Sequence, residues 1–302
     1  MIDVSVVLVN YNSSKLLENC LESLIKHSKN FCYEIIVIDN TCSDIEKTKL
    51  ESLGNRFKFK LIYSKNVGFG NANNLAAKSA NGKYLFFLNC DTVLISNACY
   101  ELFNYLESNP NVGVAGSNLY NDDKKPNYSF QYCEKNYKNE IVYSSLIFKK
   151  KNKTFNYTNQ PLKIYGYVSG ACLMISKKNF DIIGGFPKDI FLYAEEAYLC
   201  YQVIHKLNLE VYNVPSSKII HLEGRSFSTS ESRIRHACNG NYVYYKLLFG
   251  DEIALKYLKK KSFIYGKYAL LCMFIFKIKK SRKFRLFKTI YREKYLELKR
   301  NG

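Results

Sequence analysis

Asp91 ends the run Lys83-Tyr-Leu-Phe-Phe-Leu-Asn-Cys-Asp91, in which an apolar segment stops abruptly in polar side chains. A buried strand that carries Asn89 and Asp91 to its carboxyl tip is how an open α/β sheet presents a metal or phosphate site. A carboxylate that bridges Mg2+ or Mn2+ to a diphosphate needs few further protein ligands, because the phosphates supply the rest. His221 closes the apolar stretch Lys218-Ile-Ile-His221 and is the natural second ligand. Glu195 and Glu196 are adjacent carboxylates set beside Phe191, Leu192 and Tyr193. Like charges in a partly buried setting raise a carboxyl pKa, which suits a base that takes a proton from a hydroxyl. Each feature also has a plainer reading: a turn after Asp91, a packed imidazole at His221, a solvated helix start at Glu195.

Three further segments fit a phosphorylated ligand. Asp39-Asn40 follows Glu34-Ile-Ile-Val-Ile38, and a carboxylate at that tip can accept from the ring N3–H of uracil or thymine or, more simply, close an Asx turn. Asn66-Val-Gly68-Phe-Gly70-Asn-Ala-Asn73-Asn74 is a glycine-containing loop opening a helix, whose backbone N–H groups can face phosphate or ribose. Ser169-Gly170-Ala171 interrupts a later apolar stretch. Cys90 is isolated from other cysteines, which favours a small packing residue over a zinc ligand.

The elements that position these residues alternate. Val4–Val9, Glu34–Ile38, Phe59–Tyr63, Tyr84–Leu88 and Val112–Gly116 read as buried strands. Between the first two, Leu16, Leu17, Cys20, Leu21, Leu24 and Ile25 line one helical face, with Ser13 or Ser14 as N-cap. A second helix follows Ser96. Strand–helix alternation predicts a mostly parallel sheet with ligands beyond its carboxyl edge, where Asn10, Asp39, Ser64 and Asp91 all fall. Residues 121–165 read as polar loops, Tyr167–Ile175 as one strand, and Glu210–Val214 and Lys218–His221 as two short ones. From about residue 231 the pattern is helical and basic.

The chain has 302 residues with 45 Lys and Arg against 26 Asp and Glu, a net charge of +19. Residues 251–302 hold 16 basic and 4 acidic side chains, so most of the excess sits there. Phe263–Phe276 is apolar but too short to span a bilayer, which needs about 20 residues. An interfacial helix on an anionic surface fits the basic flanks, and an ordinary helix with a solvated basic face is the alternative. No nucleic-acid module is recognisable, so nucleic acid is not an expected partner. The first ten residues lead straight into a strand without a basic leader, and the ten cysteines lack a C-x-x-C pair, which together predict reduced thiols in a cytoplasmic protein.

Taken in order, Val4-Ser-Val-Val-Leu-Val-Asn10-Tyr-Asn12, Val37-Ile-Asp-Asn40, Asn66-Val-Gly-Phe-Gly70, Phe87-Leu-Asn-Cys-Asp-Thr92, Gly170-Ala171, Gly184-Gly-Phe186, Phe191-Leu-Tyr-Ala-Glu-Glu196 and Ile220-His221 resemble family 2 glycosyltransferases, nearest the rhamnosyltransferase-like branch. The resemblance covers about residues 1–226. It implies the GT-A fold in residues 1–230, with a nucleotide-binding half (1–120) and an acceptor and catalytic half (121–230), followed by a basic helical region (231–302). It also implies inverting transfer of rhamnose or another hexose from a dTDP- or UDP-sugar to a glycan or lipid-linked acceptor, and the basic tail would hold such an enzyme at the inner face of the cytoplasmic membrane. By position, Asp39 would hold the base of the nucleotide, Asn12 and Asn66 would lie near the nucleoside, and Asn10, Asn40, Gly68, Asn73, Asn89 and Gly170 would complete the nucleotide-sugar-binding set. Asp91 and His221 would hold Mn2+ or Mg2+, and Glu196, beside Glu195, would be the base. This chain has Asn-Cys-Asp for Asn-Pro-Asp, Glu-Glu for Glu-Asp, and Tyr198 where an acid often follows. Those departures leave open a non-catalytic nucleotide-sugar-binding relative or a scaffold of a polysaccharide assembly complex.

Overall fold

The computed structural model describes residues 1–41, 43–133, 154–222, 231–274 and 277–301. These residues fall into two compact units, the first built from described residues of 1–133, 154–191 and 195–222, the second from 192–194 and the described residues from 231 onward.

In the first unit, β1 (Val4–Asn10), α1 (Ser14–His27), β2 (Tyr33–Asp39), α2 (Asp44–Phe57), β3 (Lys60–Tyr63), α3 (Phe69–Lys78) and β4 (Tyr84–Asn89) alternate as the sequence pattern predicts. Then come β5 (Thr92–Leu94), α4 (Ala98–Ser108), β6 (Val112–Tyr120), β7 (Phe130–Tyr132), β8 (Leu162–Lys163), β9 (Gly166–Val168), β10 (Cys172–Ser176), α5 (Lys177–Ile183), α6 (Glu195–Lys206) and β11 (Glu210–His221). The main sheet runs β3-β2-β1-β4-β10-β6-β11-β5, with β8 on β11, while β7 and β9 form a separate pair. Strands β1, β2, β3, β4, β6 and β11 share one direction, and β5, β8 and β10 oppose them.

Alternation along each strand explains why these segments read as continuous apolar runs: both faces are covered. Val6, Leu8, Phe86 and Leu88 pack under Leu17, Leu21 and Leu24 of α1, Leu50 of α2 and Leu102 of α4. Their neighbours Val7, Leu85 and Phe87 pack on the opposite face against Ala76, Phe180, Phe186 and Val203. Ile25, at the rim of the predicted apolar face of α1, is exposed.

Three elements differ from the sequence reading. β3 is the sheet edge, so its side chains are only half covered. The stretch 167–175 is two strands, because Ser169-Gly-Ala171 turns the chain between β9 and β10. Conversely, 210–221 is a single strand whose register shifts between Val214 and Lys218, where Pro215 lacks a ladder donor. Of the predicted loop 121–165, residues 134–153 lie outside the described residues, and β7 and β8 occupy part of the remainder.

The second unit contains α7 (Glu231–Phe249), α8 (Asp251–Phe274) and α9 (Ile278–Asn301). The apolar stretch from Phe263 forms the latter half of a 24-residue helix. Among the described residues no helix is long and apolar enough to cross a membrane.

Phe87 is fully buried, with ring centroids 5.2 Å from Phe180 and 4.9 Å from Phe186. Phe87→Ala should lower unfolding stability by about 3–5 kcal/mol in denaturant titration, and Phe87→Leu by clearly less.

Candidate active site

β1 and β2 pair in register so that Asn10 lies opposite Asp39, and β4 places Asn89 opposite Val9. The three polar tips thus share one edge. Asn10 Nδ2 donates to Asp39 Oδ1 and to Glu46 Oε2, both at 3.3 Å, while Ser13 donates its N–H and its hydroxyl to Asn10 Oδ1 at 3.2 and 3.1 Å. Ser13 occupies the N-cap position of α1, yet its hydroxyl serves Asn10 rather than the helix. The Thr41 N–H donates to Asp39 Oδ1 at 3.1 Å, closing the Asx turn that was the plainer reading of Asp39. The turn also fixes that carboxylate at the edge.

Glu46 was not singled out from the sequence, where an acid in the first turn of α2 reads only as a dipole complement. It is buried and accepts from Asn10, Ser14 and Lys49. Burial works against its charge, but hydrogen bonds from Lys49, Ser14 and Asn10 outweigh this and hold its pKa below the usual carboxylate value.

Asn40 clamps the glycine loop. Its Nδ2 donates to Asn66 Oδ1 at 3.2 Å and its Oδ1 accepts the Val67 N–H at 3.1 Å. Gly68 has φ +86°, and a Cβ there would lie 2.3 Å from the carbonyl oxygen of Phe191. Only glycine fits, and Phe69 N–H then donates to that oxygen at 2.9 Å. The loop is so joined to the segment that leads into Glu195. Asn12 is exposed in a left-handed conformation and donates its N–H to Thr41 Oγ1. Asn73 is buried with its amide on Phe69 O, which braces α3.

Tyr193 and Ala194 both carry positive φ (72° and 75°) immediately before α6. Two consecutive non-glycine residues in this region store strain of the kind found at functional sites. Glu195 is 3% exposed, and its Oε2 is buried with no hydrogen-bond partner among the described residues. Glu196 is half-buried over Gly170, where a Cβ would lie 3.4 to 3.5 Å from its side-chain carbons. Burial pushes both carboxyl pKa values up, and the charge of Glu196 pushes Glu195 further.

Asp91 Oδ1 lies 3.3 Å from His221 Nε2. The pairing of β5 with β11 sets His221 opposite Thr92, and Leu222 N–H donates to Asp91 O at 2.8 Å. Neighbouring donors around one Mg2+ or Mn2+, each at about 2.1 Å, sit roughly 3 Å apart, so the pair fits two adjacent ligands of one cation. Among the described residues no group of three or more His, Cys, Asp or Glu side chains is placed to hold a metal ion. Cys90 does not join: its Sγ donates to Val9 O, and burial raises its thiol pKa. Asn89 N–H donates to Ala171 O, the residue after Gly170, and so links the strand bearing Asp91 to the glycine under Glu196. Its Oδ1 is buried without a partner among the described residues.

The family model described as Glycosyl transferase family 2 matches residues 5–183. An uncharacterized glycosyltransferase, MJ1057, of Methanocaldococcus jannaschii is 26% identical over 263 residues, 82% of this chain and 85% of that protein. Poly(ribitol-phosphate) beta-glucosyltransferase of Bacillus spizizenii is 29% identical over 110 residues, which is 35% of this chain but only 17% of that protein. Among solved structures, GalNAc-T7 with UDP, GalNAc and Mn2+ superposes with a TM-score of 0.60 at 16% identity, over 85% of this chain and 54% of that one. The likeness is one of fold.

Glu46→Gln should cost about 1–3 kcal/mol of unfolding stability at neutral pH, because buried donors lose a charged acceptor. The folded-state pKa of Glu46 is depressed, so its contribution is present above the unfolded carboxylate value and lost as pH falls through the folded one. Urea titrations should show variant and parent converging in acid.

Proposed function

The chain belongs to glycosyl transferase family 2 and has the GT-A fold, and from that premise we propose a metal-dependent, inverting hexosyltransferase. It takes a sugar, rhamnose or another hexose, from a dTDP- or UDP-sugar. The acceptor is a hydroxyl of a glycan or lipid-linked saccharide in bacterial surface-polysaccharide synthesis. The relative that acts on a poly(ribitol-phosphate) and the fold neighbour solved with UDP and Mn2+ support the acceptor and donor classes. The observation that carries the reading is the 3.3 Å approach of Asp91 to His221, past the carboxyl ends of β4 and β11.

Asp39, fixed by Asn10 and Thr41, is placed to accept from the base, and Asn40 holds the glycine loop beside it. Asp91 and His221 would hold the cation; when bound, it supplies positive charge to the leaving diphosphate. Glu196 accepts the acceptor hydroxyl's proton while that oxygen attacks the anomeric carbon. The bond to the diphosphate oxygen breaks on the opposite face, so one displacement inverts the centre. Glu195, deeper and short of partners, keeps the negative charge on its neighbour in a desolvated setting. The enzyme works at the inner face of the cytoplasmic membrane, where lipid-linked acceptors are presented.

Asp91→Asn and His221→Ala should each remove Mn2+-dependent nucleoside diphosphate binding in calorimetry while leaving the melting curve near that of the parent. Retained metal-dependent binding in both would overturn the ligand assignment.

Glu196→Gln should lower transfer about 10²–10⁴-fold with donor affinity nearly unchanged. Because the pKa of Glu196 is raised, the parent's rate should fall with acidification at a pH above the ordinary carboxylate range. A second reading, a binding protein without turnover, is favoured by Glu196 and Tyr198 standing where the family has other residues. It predicts donor binding with neither transfer nor donor hydrolysis at any pH, measured by product chromatography.

A further inference from the structure

The second unit ends in a helical hairpin, α8 against α9, that is sealed on one side. Ser281 Oγ donates to Ala269 O at 2.9 Å and Ser262 Oγ to Lys288 O at 3.1 Å. Tyr265 lies with its ring centroid 4.9 Å from Phe287 and 5.4 Å from Tyr291. Another side is open. Along α8 the residues Lys259, Phe263, Lys267, Leu270 and Phe274 recur at helical spacing, and Phe263, Leu270 and Phe274 are 63%, 58% and 81% exposed. Facing them from α9 are Arg285, Lys288 and Arg292, at the same spacing.

Apart from Phe274, which lies beyond its end, the two rows line a groove of about 610 Å3 that has five basic side chains and no carboxylate among its lining residues. The Lys288 side chain passes over Gly266 in van der Waals contact. Lys267 Nζ stands 4.6 Å from the Phe263 ring centroid, an arrangement that leaves both the ring and the ammonium at the surface. Large exposed apolar residues interleaved with cations that form no ion pair among the described residues suit a phase boundary: rings and aliphatic chains enter the acyl region while the cations meet phosphate. An RNA groove would be served by the cations but has no use for Leu270 and Phe274.

We propose that this face of the α8–α9 hairpin docks on an anionic phospholipid bilayer, with headgroup phosphates in the groove between Lys259 and Arg292 and with Phe263, Leu270 and Phe274 below the headgroups. Docking deepens the membrane-side reading of the acceptor given above, and it requires no turnover, so vesicle binding and nucleoside diphosphate binding fail independently.

The chain contains no tryptophan, so a single introduced one reports alone. Phe263→Trp places it on the proposed face, and Tyr157→Trp, at a 71% exposed position of the first unit, serves as control. With full-length protein and phosphatidylcholine vesicles containing phosphatidylglycerol, Phe263→Trp should shift its emission to the blue and be quenched by brominated acyl chains, and Tyr157→Trp should do neither. Phosphatidylcholine alone should give no shift. Lys288→Glu with Arg292→Glu should weaken co-sedimentation about tenfold or more, with an unchanged circular dichroism melt. The proposal is overturned if Phe263→Trp stays unshifted, whether or not the protein sediments. It is also overturned if the charge reversals leave binding intact, or if single-stranded RNA at equal phosphate displaces the vesicles.

Discussion

The first unit depends on one pairing, that of β5 with β11. Thr92 and His221 are far apart in the chain, and their registry, with the Leu222-to-Asp91 backbone bond, sets an imidazole against a carboxylate where the sheet's apolar strands end. Bringing two polar, titratable groups to that place costs solvation, which burial elsewhere in the unit must offset. The sheet supplies it: Val6, Leu8, Phe86 and Leu88 on one face and Val7, Leu85 and Phe87 on the other are sealed by helices on both sides. A rigid two-faced sheet with polar tips is what permits a short-range arrangement to survive between distant segments.

The acidic pair opens α6, and the strained backbone stands immediately before it. Two left-handed residues precede Glu195, Gly68 stands where the Phe191 carbonyl oxygen leaves no room for a Cβ, and Gly70 and Gly170 lie against the side chains of Phe186 and Glu196. A side chain at Gly68 would push away the segment that orients the helix start. The raised pKa of both glutamates follows from that enclosure, so conformation and basicity at this site have a common origin.

Much of this was legible in the residues. Short apolar runs gave β1, β2 and β4 to within a residue or two, because strands buried on both faces carry a signal that solvent exposure does not dilute. The polar tips Asn10, Asp39, Asn89 and Asp91 stood out by the abrupt change that ends each run. What stayed hidden was non-local. Glu46 has nothing in its own helix to mark it, since its partners Asn10 and Ser14 lie some thirty residues away. The two short strands read at Glu210–Val214 and Lys218–His221 are one, because the sheet absorbs the gap between them as a register shift while β6 and β5 hold the strand on either side. Asn73, by contrast, sits in a motif that points to ligand, yet its amide donates locally to the Phe69 carbonyl one turn back in the same helix. The basic tail announced itself by composition, but its pairing into a hairpin with one open face comes from contacts such as Ser262 with Lys288, which periodicity does not encode.

The most direct test of the central claim is anomalous diffraction at the manganese edge from crystals grown with Mn2+ and a nucleoside diphosphate. The account predicts one strong peak within bonding distance of both the Asp91 carboxylate and His221 Nε2. A peak elsewhere, with these two side chains still facing one another unmetallated, would contradict it.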